Sequence, residues 1–297
     1  MTKVIHFCEG ELALHNFILP ICRFSTSKFI VFAGNINSVC QVPWNVLKVS
    51  SYVKFSFKKP RDVLYLFPSI LFILIVLIRI RPDIVVSHMT LNSPLVLISA
   101  FILQIQKRIY FNHGFSYLGY KGLNRFLLFI FEYINFLFST VVVCVSPSQR
   151  ECALNNRFLP PTTCVSTLPG SCAGLPVKAY ISLNDLNAKQ SSILDISCPI
   201  NIAYVGRPVK RKGFPMILDI IRSTESLLRV TGVTETIFHF TIVGVSENHS
   251  ISIDCLSQLN TMKHVKIEFI AHTDDVMSYL HRSSIFILPS FHEGFGY

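Results

Sequence analysis

The sequence predicts an α/β fold built as two Rossmann-like domains facing across a cleft, and three observations carry that expectation. Apolar runs of strand length alternate with longer stretches of helical length, the pattern of parallel sheets covered by helices on both faces. The alternation occurs twice, on either side of a polar stretch at 178–199 that contains Ser, Asn and Asp. The chain has 297 residues, room for two domains of ordinary size that each bury a core. The first domain is placed at 1–180 and the second at 181–297.

In the first domain, strands are expected at 4–7, 29–32, 83–87, 108–112 and 141–145, with helices at 65–80, 94–106 and 123–138. Glu132 interrupts the last helix, which feeds the strand at 141–145. Ser146 then caps a further helix, with Pro147 at the first position, where a missing N–H is no loss. The second domain repeats the plan with strands at 201–205, 238–243, 265–270 and 284–288 and helices at 215–229, 253–262 and 274–281.

Hydrophobic residues make up 51% of the chain and charged residues 15%, which is apolar for a soluble protein. Residues 1–180 carry 17 Lys and Arg against 6 Asp and Glu, while residues 181–297 carry 10 against 11. The basic excess therefore sits in the first half and suggests contact with an anionic surface. Nucleic acid fits poorly, because the basic residues are scattered among aliphatic segments and no recognised module appears. An anionic membrane fits better. The uncharged run 63–78 lies between Lys58, Lys59 and Arg61 on one side and Arg79 and Arg81 on the other. It falls short of the about 20 apolar residues that span a bilayer, and Pro68 interrupts it, so it reads as a core helix or as a helix lying in the membrane interface. The nine cysteines show no metal-ligand spacing, and no metal is expected. The first strand starts at Lys3 with no signal peptide before it, and the cysteine count is odd, so reduced thiols in a cytosolic compartment are expected.

Four constellations carry chemistry. Gly206, Arg207, Lys210, Arg211, Lys212 and Gly213 lie between a strand end and a helix start. A planar guanidinium and an ammonium placed there suit a diphosphate, although such a loop can equally be a solvated face. His113 follows a strand, between Asn112 and Gly114, as a candidate contact or acid–base group. Gly170 and Ser171 lie in a glycine-rich turn able to offer amides to a phosphate, as well as simply to connect two elements. Finally Glu293 stands beside Gly294, Phe295 and Gly296, after an apolar strand ended by Pro289 and Ser290. Ligands of α/β proteins bind at such carboxyl ends of strands.

In this order the motifs resemble those of the family 4 retaining glycosyltransferases of the bacterial surface-polysaccharide type, whose two facing Rossmann-like domains are called GT-B. The resemblance rests on Gly206-Arg207, four intervening residues and then Lys212-Gly213, and on Pro289-Ser290, two intervening residues and then Glu293 to Gly296. Residues 81–88, 112–114 and 145–148 look like the family's acceptor-domain framework. The resemblance implies a sugar moved from a nucleotide-sugar donor, UDP- or GDP-linked, to a lipid-linked or saccharide acceptor such as an undecaprenyl-diphosphate-linked glycan. That step would serve O-antigen or capsule synthesis, with the protein peripheral on the cytoplasmic face of the inner membrane. It implies catalytic roles for Arg207 and Lys212 at the donor diphosphate, for Glu293 beside the donor sugar, and for His113 at sugar or phosphate. Gly206, Gly170, Ser171, Gly294, Phe295 and Gly296 would approach the donor, and no cofactor or metal would be needed. The family's second glutamate would fall beyond Tyr297, so the second domain is expected to be incomplete and this copy truncated, with loss of activity as one consequence. Two other readings stand beside this one: a GT-B-fold sugar-nucleotide epimerase, and a non-catalytic remnant that binds nucleotide or membrane.

Overall fold

The computed structural model describes residues 2–8, 14, 18–23, 27–33, 46–49, 66–156, 164–167, 199–232, 235, 237–245, 259, 261–271, 273 and 275–291. The chain divides into two compact units, one of Met1–Leu175 with Glu293–Tyr297 and one of Pro176–His292, with a break between Leu175 and Pro176. That break and the expected boundary at 180 both lie outside the described residues.

In the first unit β1 (Lys3–Cys8), β2 (Lys28–Ala33), β3 (Val46–Val49), β4 (Ile84–His88), β5 (Lys107–Asn112), β6 (Val141–Cys144) and β7 (Cys164–Thr167) form one parallel sheet, ordered β3-β2-β1-β4-β5-β6-β7. The chain winds outward from β1 to β3, crosses back to β4 and continues in the other direction. Neighbouring β1 and β4 are therefore a topological switch point. Successive side chains point to opposite faces, and both faces are buried. Val4, Val86, Phe111 and Val143 join one core with α1 (Leu19–Arg23). Ile5, Val85, Tyr110 and Val142 join the other, beneath α2 (Leu66–Ile80), α3 (Ser93–Ile102) and α4 (Gly122–Phe138). Then α5 (Pro147–Asn155) begins as the sequence suggests, with the Gln149 amide donating to Ser146 Oγ at 3.3 Å and Pro147 in the first turn.

The apolar run at 63–78 supplies most of α2, which buries Ile73 and Leu77 and leaves Phe67, Leu71, Ile75 and Ile78 exposed along its other side. The helix α4 likewise exposes Leu123, Phe126 and Leu127 beside Arg125. Among the described residues no helix is long and apolar enough to cross a membrane.

In the second unit β8 (Ile200–Val205), β9 (Phe238–Val243), β10 (Val265–Ile270) and β11 (Ile285–Phe286) form a parallel sheet ordered β10-β9-β8-β11. Its switch point lies between β8 and β11. One face is covered by α6 (Phe214–Val230), whose Phe214, Ile217, Ile221 and Leu228 recur at helical spacing and pack on Ile202, Tyr204, Phe240 and Ile242. The helix α7 (Val276–His281) is capped by Asp275, whose Oδ1 accepts from the Ser278 amide at 3.2 Å.

The structure departs from the sequence expectation in four places. The helix expected at 94–106 stops at Ile102, because the amides of Gln104 and Ile105 turn back to the carbonyls of Phe101 and Ala100 with Gln104 at φ 55°. This is a helix-ending motif that usually takes glycine. β3 and β7 were not expected; each has four residues, too few to show a period. The strand expected at 284–288 forms a ladder only over Ile285–Phe286, at the sheet edge. Most of the helix expected at 253–262 lies outside the described residues; within it, Leu259 packs in the second unit's core.

Candidate functional site

In the second unit the loop after β8 meets the residues that follow β11. The loop after β8 runs from Gly206 to Gly213 and presents Arg207, Lys210, Arg211 and Lys212, with Lys210–Lys212 forming one 3₁₀ turn. The loop after β11 lies against it: the Phe291 amide donates to the Arg211 carbonyl at 3.0 Å. Gly213 shows why the sequence needs a glycine at this junction. It sits at φ 71°, and a Cβ there would overlap the carbonyl group of Pro289. A side chain would both strain the backbone and push the loops apart. Gly244, after β9, is also confined, though less tightly, since its Cβ would come 2.8 Å from the Gly206 carbonyl oxygen.

Tyr204 holds the base of the basic loop. Its ring is buried, and its hydroxyl donates to the Arg207 carbonyl at 3.1 Å, with the Lys212 carbonyl at 3.4 Å. One side chain thus reaches both ends of the loop that carries the cations. Arg207 is exposed and Lys212 half-buried. At the switch point of this sheet, beside the first turn of a 17-residue helix, the cations and the helix end both favour an anion.

The other end of the same unit is tied by a carboxylate. Glu225 of α6 accepts from the amides of Lys263 and His264 at 3.1 and 2.9 Å and from Arg229 Nε at 2.9 Å. Burial alone would raise its pKa, but these donors outweigh burial and hold it below the usual carboxylate value.

In the first unit His113 lies just past β5, half-buried, with its Nε2 3.0 Å from Nδ1 of His88. His88 in turn places Nε2 3.1 Å from Nδ1 of His6. Burial lowers the pKa of His6 and His113 to about 4, and burial together with the neighbouring His6 and His113 holds that of His88 well below its usual value, which favours neutral rings near pH 7. Behind this row, on the opposite face of the sheet, Glu132 is fully buried in α4. It accepts from Thr90 Oγ1 at 2.7 Å and Tyr110 Oη at 2.8 Å, with Asn112 Nδ2 at 3.5 Å. Burial raises its pKa to about 7 against the pull of these donors. Asn112 then accepts the Gly114 amide on Oδ1 at 2.8 Å, closing the turn that carries His113.

Of the expected site residues, Gly206, Arg207 and Lys212 share one loop and His113 belongs to the other unit. Glu293, Gly294, Phe295, Gly296, Gly170 and Ser171 lie outside the described residues, Glu293 two positions along the chain from Phe291. Sequence reasoning missed Tyr204, His6, His88 and the Glu132 network. Its one available signal was Glu132 itself, the one acid in α4. Among the described residues no group of His, Cys, Asp and Glu could hold a metal ion. A recess of about 890 Å³ lined by Arg81, Asp83, Gln104 and Lys107 opens at the amino end of the first sheet, away from the strand ends that carry these residues.

No family model matches the chain. It is 27% identical over 200 residues to a capsular polysaccharide biosynthesis glycosyltransferase, CapM, of Staphylococcus aureus, a match that covers 67% of this chain and 50% of that protein. The chain thus spans about half the length of the curated relative it matches. Among solved structures it resembles a sucrose-phosphate synthase from Thermosynechococcus elongatus at TM-score 0.68 and 15% identity, covering 100% of this chain and 77% of that one. It also resembles Anabaena HepE in complex with UDP at TM-score 0.64 and 12% identity, covering 98% and 75%. A UDP-GlcNAc 2-epimerase from Methanocaldococcus jannaschii follows at TM-score 0.54 and 12% identity, covering 94% and 76%. Together with the two parallel sheets, these likenesses show an α/β fold of the GT-B type.

Proposed function

We propose that the protein is a glycosyltransferase that takes a sugar from a nucleotide-sugar donor, bound by the second unit, and passes it to a lipid-linked or saccharide acceptor in surface-polysaccharide synthesis. The observation that carries this reading is the junction of the two loops at the second switch point, where Phe291 bonds Arg211 and Gly213 packs on Pro289. It brings a loop of four cations against the segment that leads to Glu293. The likeness to CapM and to the UDP-bound fold supports the same substrate class.

In the reaction the bond between the anomeric carbon and the diphosphate oxygen breaks and its electron pair stays with the diphosphate. The acceptor hydroxyl oxygen bonds the anomeric carbon and gives up its proton. Charge grows on the leaving diphosphate, so Arg207 and Lys212 act where stabilisation lowers the barrier most. In this proposal they take the place a metal would otherwise hold, Glu293 and the glycines after it bind the sugar, and Gly170 and Ser171 contribute amides. Retention of the anomeric configuration belongs to the same reading.

The apolar sides of α2 and α4, with Arg79, Lys121 and Arg125 beside them, support docking on an anionic cytoplasmic leaflet, where an undecaprenyl-diphosphate-linked glycan would be reached. Each basic residue near such a surface adds about 1 kcal/mol. Three measurements test the proposal. Isothermal calorimetry should show UDP or GDP binding without added metal, and sugar transfer from the matching nucleotide sugar should persist in chelator. Inversion at the sugar C2 with no transfer would replace the reading by an epimerase. Flotation with anionic vesicles should carry the protein upward and lose it as salt rises; flotation equal on neutral vesicles would remove the membrane part.

A further inference from the structure

The recess at the amino end of the first sheet has a volume of about 890 Å³ and is lined by the first unit alone. It lies between the ends of two helices and the starts of two strands. Leu77 and Ile78 come from α2, Leu103 and Gln104 follow α3, and Ile84 of β4 and Lys107 of β5 are paired neighbours on its floor. His113 stands at the opposite end of β5, so the recess is separate from the site described above.

Its polar side chains are not spent on one another. Asp83 is committed to β1, where its Oδ2 accepts the Lys3 amide at 2.7 Å, and Nζ of Lys3 lies 3.4 Å from the Ile80 carbonyl. Arg81 and Lys107 are exposed and enter no ion pair among the described residues. Arg81 and Gln104 hold left-handed backbone, at φ 49° and 55°. Glycine takes such a helix-ending turn at least cost. Here both turns carry a long polar side chain that lines the recess instead.

The recess is also open to apolar surface. Ile78 lines it and ends the exposed series Phe67, Leu71, Ile75 and Ile78, which recurs along one side of α2 at helical spacing. Phe101 and Ile102 are exposed at the end of α3, just before Leu103. Two fields meet in this setting. Arg81 and Lys107 favour an oxyanion. The carbonyl ends of α2 and α3 carry the negative ends of their helix dipoles and favour a donor or a cation. A bare phosphate satisfies the first field and opposes the second, whereas a headgroup with a phosphodiester and an ammonium satisfies both.

We propose that the recess is a headgroup site for a phosphoethanolamine lipid. The phosphodiester oxygens accept from Arg81 and Lys107, the ammonium donates toward the carbonyl ends of α2 and α3, and the acyl chains leave over Ile78 along α2. The inference rests on the membrane-docking part of the proposed function and is independent of sugar transfer.

The test is calorimetric titration of the full chain with dihexanoylphosphatidylethanolamine below its micelle concentration, compared with dihexanoylphosphatidylcholine and with inorganic phosphate. The ethanolamine lipid should bind saturably. The choline lipid, whose ammonium has no N–H, and phosphate should each bind about tenfold or more weakly, the loss expected of a charged hydrogen bond. Arg81→Gln combined with Lys107→Gln should weaken the ethanolamine lipid by about tenfold or more, and Ile78→Ser by about fivefold. Arg150→Gln combined with Lys266→Gln removes the same charge elsewhere and should leave the affinity unchanged. All five positions are exposed, and circular dichroism checks that each variant folds. No binding of the ethanolamine lipid, equal binding of the two lipids, phosphate bound as tightly, or an affinity unmoved in the Arg81 and Lys107 variant would overturn the site. Selective lipid binding by a protein that does not float with vesicles would support the site and overturn the docking.

Discussion

At the carboxyl edge of the first sheet a row of histidines, neutral near pH 7, is buried or half-buried, whereas at the same edge of the second sheet the polar side chains are cationic and face solvent or lie only half-buried. The first edge is built from His6, His88, His113 and the Glu132 network, the second from Arg207, Lys210, Arg211 and Lys212 on a loop pinned by Tyr204. Both edges are switch points of parallel sheets, so topology alone would offer either to an anionic ligand. Side-chain chemistry separates them. Neutral imidazoles in an apolar wall suit hydroxyls and single oxygens, and cations on a loop suit a diphosphate. Two buried glutamates repeat the contrast on a smaller scale. Glu225 stays ionised because backbone amides and an arginine face it, and Glu132, whose burial its hydroxyl donors do not offset, is pushed up to about 7.

The contrast can be broken most forcefully at Gly213. Gly213→Ala combines a left-handed backbone with overlap on the Pro289 carbonyl, and should destabilise the second unit by about 3 kcal/mol. Urea unfolding would read this as a lowered midpoint; an unchanged midpoint would mean the two loops are not in contact. Next in size, Arg207→Ala or Lys212→Ala should weaken UDP or GDP binding by about 2 kcal/mol, roughly thirtyfold, as expected for a charged hydrogen bond. His113→Ala should leave nucleotide affinity nearly unchanged. Equal losses at both edges, measured by calorimetry, would erase the distinction drawn here.

The glutamates sharpen it. Glu225→Gln should lower stability by about 1–2 kcal/mol at neutral pH. Because the folded pKa of Glu225 is depressed, its contribution is present above the unfolded carboxylate value and is lost as pH falls through the folded one. Glu132 runs the other way. Its raised pKa gives a contribution that is full below about 4.5 and lost as pH climbs toward about 7. Glu132→Gln should therefore flatten the stability profile across that window, removing a slope of at most about 1.4 kcal/mol per pH unit. Thermal melts between pH 4.5 and 7.5 distinguish the two: a variant with wild-type slope would show that Glu132 ionises normally.

Much of the architecture was legible because strands buried on both faces announce themselves as apolar runs, as at β1, β6 and β9, and because Ser146 and Pro147 mark a helix start in two letters. The edge strands β3 and β7 were not legible, since four residues carry no period. The basic loop could be read because its glycines and cations are contiguous. The histidine row could not: His6, His88 and His113 are far apart in the chain and become neighbours only when β1, β4 and β5 pair in register. Tyr204 was hidden for a related reason. As one more aromatic in an apolar strand it looks like core, and its body is core, while its hydroxyl holds a loop.

The close seat of Gly213 on Pro289 also bears on how this protein can change over generations. As long as the carbonyl of residue 289 stays where it is, position 213 is closed to every side chain, and the bend that follows β11 is fixed by a residue far back in the sequence. The two loops are thus bound to drift together: a relative that replaces the glycine must also have rebuilt the turn around 289, and one that keeps the glycine inherits the shape of both.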